Sequence, residues 1–160
     1  MKKDVLILGV GNLLLGDEGV GVHVAQQLLQ LPLPGNVEVL DGGTVGYELL
    51  PYLEGKAQVI LVDAVHADCE PGTLLRFDEA DAELQWPPSY SSHQSGLREL
   101  LDGAKMLVPP PEIVVYGIVP RDMYRLTIGL SREVHRRIPA ILSVIMDEIQ
   151  SLSRKTGAVP

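Results

Sequence analysis

The chain of 160 residues is acidic, with 21 Asp and Glu against 13 Lys and Arg and a net charge of −8. No Lys/Arg cluster offers a counterion-releasing face, which excludes nucleic acid as the expected partner. At 46% apolar composition, one domain over residues 1–160 has enough material for a proper core, and the single cysteine, Cys69, excludes an intramolecular disulfide. Met1-Lys2-Lys3 before an apolar run mimics a signal peptide, but Asn12, Gly16, Asp17 and Glu18 interrupt it and no small-residue cleavage site follows. No segment approaches a membrane span, so a cytoplasmic location is expected.

The first element, Asp4–Val10, reads as a buried parallel strand, because a continuous apolar run bounded by glycine fits a sheet covered on both faces. It feeds a glycine-rich turn that resembles a dinucleotide fingerprint until the spacing is checked. Gly9 and Gly11 supply the first two glycines, but Leu14 occupies the third position. Asp17 and Glu18 also stand where a pyrophosphate would dock, and their charge would repel it. The loop presents acids and does not cradle phosphate.

A helix is expected over Asp17–Leu29, with Val20, Val24 and Leu28 on one stripe and Asp17 as its cap, ended by Pro32, Pro34 and Gly35. Val37–Leu40 reads as a second strand, closed by Asp41-Gly42-Gly43-Thr44. A short helix over Gly46–Leu53 and a third buried strand, Gln58–Val65, follow. Pro71-Gly72 introduces a short edge strand, Thr73–Phe77, and the acidic Asp78–Tyr90 reads as a loop. Ser91 and Gln94 have capping-box spacing, so a helix starts near His93 and runs to about Lys105. Pro109–Pro111 leads into a strand over Glu112–Val119. Ser131 opens the last helix, in which Pro139 marks either a kink or the true start. Strands alternating with helices predict a three-layer α/β/α sandwich. Its sheet is five-stranded, twisted and mostly parallel, with one short antiparallel strand and strands one and three adjacent inside it.

In an open α/β sheet, ligand groups gather beyond the C-terminal ends of the strands. Glu18 follows strand one, Asp63 ends strand three, and His93 starts the helix after the long loop. Two carboxylates and an imidazole suit a divalent transition metal. Each residue also has a plainer reading: Glu18 as a helix N-terminus charge, Asp63 as a bond to loop backbone, His93 as a first-turn residue. Asp41 sits where a dinucleotide fold places its ribose-binding acid, although the missing glycine weakens an oxidoreductase reading. Cys69 near His66 is a weak candidate thiol nucleophile. The two-histidine helical zinc pattern and the Gly-x-Ser-x-Gly elbow are both absent.

Taken together, Gly9-Val10-Gly11-Asn12 with Gly16-Asp17-Glu18-Gly19-Val20-Gly21, Asp41-Gly42-Gly43-Thr44, Val62-Asp63-Ala64, and His93-Gln94-Ser95-Gly96-Leu97 resemble the signatures of the hydrogenase maturation endopeptidases. Gly117-Ile118-Val119-Pro120 and Ile128-Gly129-Leu130-Ser131 resemble further segments of that family, and the likeness covers nearly the whole chain. The resemblance implies an endopeptidase that trims the C-terminal extension of a nickel–iron hydrogenase large-subunit precursor. It places metal contact on Glu18, Asp63 and His93, catalysis on Asp63 and Glu18, and a role near substrate on Asp41, Gly42 and Gly43. The nickel is expected to arrive already held by cysteines of the substrate, so no tightly bound resident metal is expected. Nickel polarising the carbonyl or lowering the pKa of a water, a carboxylate general base, and pure positioning all stay open. A noncatalytic nickel-binding or chaperone module is the rival reading.

Overall fold

The apolar runs become the interior of one sheet. A computed structural model describes residues 2–44, 46–78, 81 and 92–157, with the backbone alone for 92–95. Strands β1 (Val5–Val10), β2 (Val37–Gly43), β3 (Gln58–Ala64), β4 (Leu74–Asp78) and β5 (Glu112–Ile118) lie in the order β2-β1-β3-β5-β4. All neighbours are parallel except β4, which pairs antiparallel with β5 at one edge. Every residue of β1 and β3 is buried, as their unbroken apolar runs require.

Alternation along the strands sends side chains into two cores. Val5 and Ile7 of β1, with Ile60 and Val62 of β3, pack against α1 (Val20–Leu28). Leu6, Leu8 and Val10, with Val59 and Leu61, face the other side, covered by α2 (Leu50–Leu53) and α3 (Ser92–Lys105). The long final helix, α4 (Arg132–Gly157), completes the first layer through Val134, Ile138, Ile141, Ile145 and Ile149. Pro139 lies inside α4 and is not its start. A proline in a helix interior costs about 3 kcal/mol. Burial of each of those five side chains contributes roughly 1.5–3 kcal/mol, so packing prevails.

Three expectations change. The segment beginning at Asp17 is a 3₁₀ turn over Gly16–Gly19, with α1 starting only at Val20, and Asp17 makes no cap on it. Second, β2 runs on through Asp41 and Gly42 to Gly43, with an irregularity opposite Gly9 and Val10. The expected helix over Gly46–Leu53 divides into a 3₁₀ turn over Tyr47–Leu49 and α2. Most of the expected loop after Asp78, and the capping residue Ser91, lie outside the described residues. Among the described residues no helix is long and apolar enough to cross a membrane.

Candidate active site

The C-terminal ends of β1 and β3 lie side by side, with Gly9 opposite Val62. Gly21, in the first turn of α1, sits so close above them that a Cβ would run into the carbonyl oxygens of Val10 and Val62. A Cβ on Gly11 would likewise meet the Glu18 carbonyl. These close approaches, open only to glycine, hold the Gly16–Gly19 turn against the strand ends. Glu18 and Asp63 therefore belong to the same end of the sheet. Glu18 is half-buried, whereas Asp63 is only 1% exposed.

Asp63 follows Val59 and Leu61 at alternate positions of β3, which assigns it to the face covered by α2 and α3. Its Oδ1 accepts a hydrogen bond from the Ala64 N–H at 2.8 Å. That bond is to the last residue of β3 and not to the loop backbone beyond it. A charge buried after the four apolar residues Val59–Val62 is costly unless it is compensated. His93 is the second residue of α3. The other end of α3, Lys105, joins the start of β5, which pairs with the N-terminal ends of the sheet at Gln58. A 14-residue helix spans about 21 Å, so this connection carries the start of α3 toward the C-terminal edge. The His93 side chain lies outside the described residues. Among the described residues no three His, Cys, Asp or Glu side chains gather to hold a metal.

Asp41 is exposed at the same end of the sheet, where its Oδ1 accepts from the Gly43 N–H and its Oδ2 from Gln26 Nε2. Gly42 packs on Leu8, Val10 and Leu49, and the Gly43 carbonyl accepts from the Gly11 N–H at 2.8 Å. The Asp41–Gly43 end of β2 is thereby tied to the first loop. Cys69 is exposed and free, and His66 is engaged elsewhere: its ring stacks on Tyr124, whose hydroxyl lies 3.3 Å from Nε2.

Asp17 is the residue that the sequence misassigned. Its carboxylate is 1% exposed and accepts three backbone N–H groups, from Arg121 at 2.9 Å, Asp122 at 3.4 Å and Ser131 at 2.7 Å. It fastens the 120–131 connection and the head of α4 beside the Glu18 turn. Leu15 bridges Thr127, with the Thr127 N–H donating to the Leu14 carbonyl and the Gly16 N–H to the Thr127 carbonyl.

Near this hub, burial pushes the His23 imidazole below its ordinary value of 6.5, Asp17 opposes that shift, and His135 reinforces it. His23 Nε2 is buried with no hydrogen-bond partner among the described residues. The unfolded chain thus takes up this proton at a higher pH than the folded one, so stability falls as pH drops below that ordinary value. Urea midpoints measured between about pH 7 and pH 5 should fall less steeply in His23→Gln than in the wild type. An unchanged slope would remove His23 as the cause.

A mainly parallel sheet with helices on both faces and acids at its C-terminal edge defines an open α/β sandwich, the class in which ligands bind at that edge. Comparison with known proteins narrows this to one family. The hydrogenase maturation protease family profile matches residues 22–148. Hydrogenase 2 maturation protease of Escherichia coli K12 is 32% identical over 98% of this chain and 95% of its own. The solved structure of the hydrogenase maturating endopeptidase HybD from E. coli superposes with a TM-score of 0.80 at 32% identity, covering 98% of this chain and 94% of that one. The [NiFe] hydrogenase maturation protease HybD from Thermococcus kodakarensis gives a TM-score of 0.72 at 25% identity, covering 93% and 99%. The chain belongs to the hydrogenase maturation protease family and is an endopeptidase.

Proposed function

We propose that this endopeptidase acts in the cytoplasm and removes the C-terminal extension of a nickel-loaded hydrogenase large-subunit precursor. The substrate's nickel, held by precursor thiolates, docks on Glu18, Asp63 and His93, which sets the scissile peptide beside the two carboxylates. Asp41, Gly42 and Gly43 lie near the incoming chain. The observation that carries this reading is Asp63, a buried acid at the C-terminal end of β3 beside the Glu18 turn, in a chain of this family. Donors drawn from a turn, a strand end and a helix start form a looser cage than a closed four-ligand site. The nickel therefore comes with the substrate, and an empty precursor lacks the group that bridges the two proteins.

Chelator-treated enzyme should cleave nickel-loaded precursor and leave metal-free precursor intact. Glu18→Gln and His93→Ala should lose that selectivity. Equal cleavage of both precursors by the wild type would defeat nickel reading. Nickel-dependent binding without any cleavage would favour the noncatalytic module.

A further inference from the structure

Beside the Glu18 turn lies a cavity of about 350 Å³, walled by Gly16 and Asp17 on one side and by Arg121, Asp122, Arg125 and the segment 127–131 on the other. Three features of its surroundings converge. Arg121 is paired with Glu133 at 2.9 Å, whereas the Arg125 guanidinium has no ion pair or hydrogen bond among the described residues. The cavity's exposed acid, Asp122, is engaged through Oδ1 by the Tyr124 and Arg125 N–H groups, so the Arg125 guanidinium is the cavity cation without a side-chain partner among the described residues. Thr127 spends both backbone groups on Leu14 and Gly16, while the N–H and C=O of Leu126 and Ile128 bond to nothing among the described residues. The apolar side chains on this segment are also open, with Tyr124 81%, Leu126 80% and Ile128 83% exposed.

An unpaired edge whose side chains lie open is what an extended peptide uses when it adds a strand. An unpartnered guanidinium at its end selects a carboxylate, which it can bind through two parallel N–H groups. We propose that this cavity is a substrate subsite, in which a carboxylate-bearing segment of the precursor lies extended along Leu126–Ile128 and pairs with Arg125. The occupant is a peptide because the chain is an endopeptidase, and Gly16 and Asp17 make the cavity continuous with the Glu18 turn. The inference rests on the proposed function for the identity of that peptide.

The probes are fluorescein-labelled peptides tiling the C-terminal region of the large-subunit precursor from the same organism, titrated without nickel and read by anisotropy. Arg125→Gln should weaken the tightest peptide roughly tenfold. Arg125→Glu should weaken it further and regain affinity for a peptide whose carboxylate is replaced by lysine. Ile128→Pro removes one edge donor and leaves Thr127 extended, so it should also weaken binding. Loss of affinity on amidating the peptide terminus assigns the carboxylate to the chain end. Loss on Asp→Asn or Glu→Gln assigns it to a side chain, and either supports the pairing. Wild-type affinity in both Arg125 variants, or binding that survives removal of every carboxylate, overturns it. Since binding is read without nickel, failure here leaves nickel-selective cleavage standing, and loss of that selectivity leaves the subsite standing.

Discussion

Replacing Asp63 by asparagine should reduce precursor cleavage by a factor of about 100 or more while the protein keeps its fold, the scale expected when a positioned acid–base group is lost. Asparagine has nearly the same shape, and its side-chain oxygen can still accept the Ala64 N–H. What disappears is a negative charge at a position only 1% exposed, where solvent does little to favour it. The melting temperature should therefore stay level or rise as activity falls. That opposite movement distinguishes a functional carboxylate from a structural one, whose removal would lower both. The assay pairs thermal unfolding with single-turnover cleavage of nickel-loaded precursor. Cleavage at the wild-type rate in Asp63→Asn would eliminate Asp63 as a working group. A folded variant that still binds loaded precursor but cleaves it slowly would place the charge in the chemical step. Weakened binding with unchanged turnover would place it in docking.

The sheet was legible because strands buried on both faces write themselves as unbroken apolar runs. Val5–Val10 and Val59–Val62 could hardly be anything else, and the structure sets them parallel and adjacent in the interior. The short strand after Gly72 was readable for the opposite reason, since its mixed pattern suits an edge, and β4 is one. Local signals failed where tertiary contacts set the backbone. Gly16–Gly19 looks like a helix start because acids favour N-termini. There the Gly16 N–H donates to the Thr127 carbonyl and the Asp17 N–H to that of Asp122, which tightens the turn to 3₁₀. Asp41 and Gly42 read as a turn, yet pairing with β1 extends β2 through them. The first-loop acid and the strand-end acid were recognisable as site candidates, since position in an α/β chain already implies the C-terminal edge. Arg121, Arg125 and the true task of Asp17 were not, because their meaning depends on a connection with no hydrophobic period and on contacts more than a hundred residues away in sequence.

That distance is why Asp17→Ala should be the most destabilising single change near the site. One buried carboxylate accepts from three backbone donors on the 120–131 connection and the head of α4, and alanine leaves all three without it. Hydrogen bonds to a charged group contribute about 1.5–3 kcal/mol each, and stranded buried donors add desolvation cost. Shared geometry and partial rescue by water keep the sum below three full bonds, so a loss of roughly 3–5 kcal/mol is expected. Asp17→Asn should fall between alanine and the wild type, because one amide oxygen can still accept while the NH₂ faces donors. Urea unfolding gives the magnitudes, and amide hydrogen exchange gives the place. The N–H groups of Arg121, Asp122 and Ser131 should lose protection first, and the centre of β1 last. Because the same connection carries Arg125 and the open Leu126–Ile128 edge, the asparagine protein should also bind precursor peptides more weakly under conditions where it remains folded. Unfolding within about 0.5 kcal/mol of the wild type would mean that Asp17 behaves like a surface side chain. The 120–131 connection would then be held by its other ties, the Leu14–Thr127–Gly16 bridge, the Asp17 N–H bond to the Asp122 carbonyl and the Arg121–Glu133 pair.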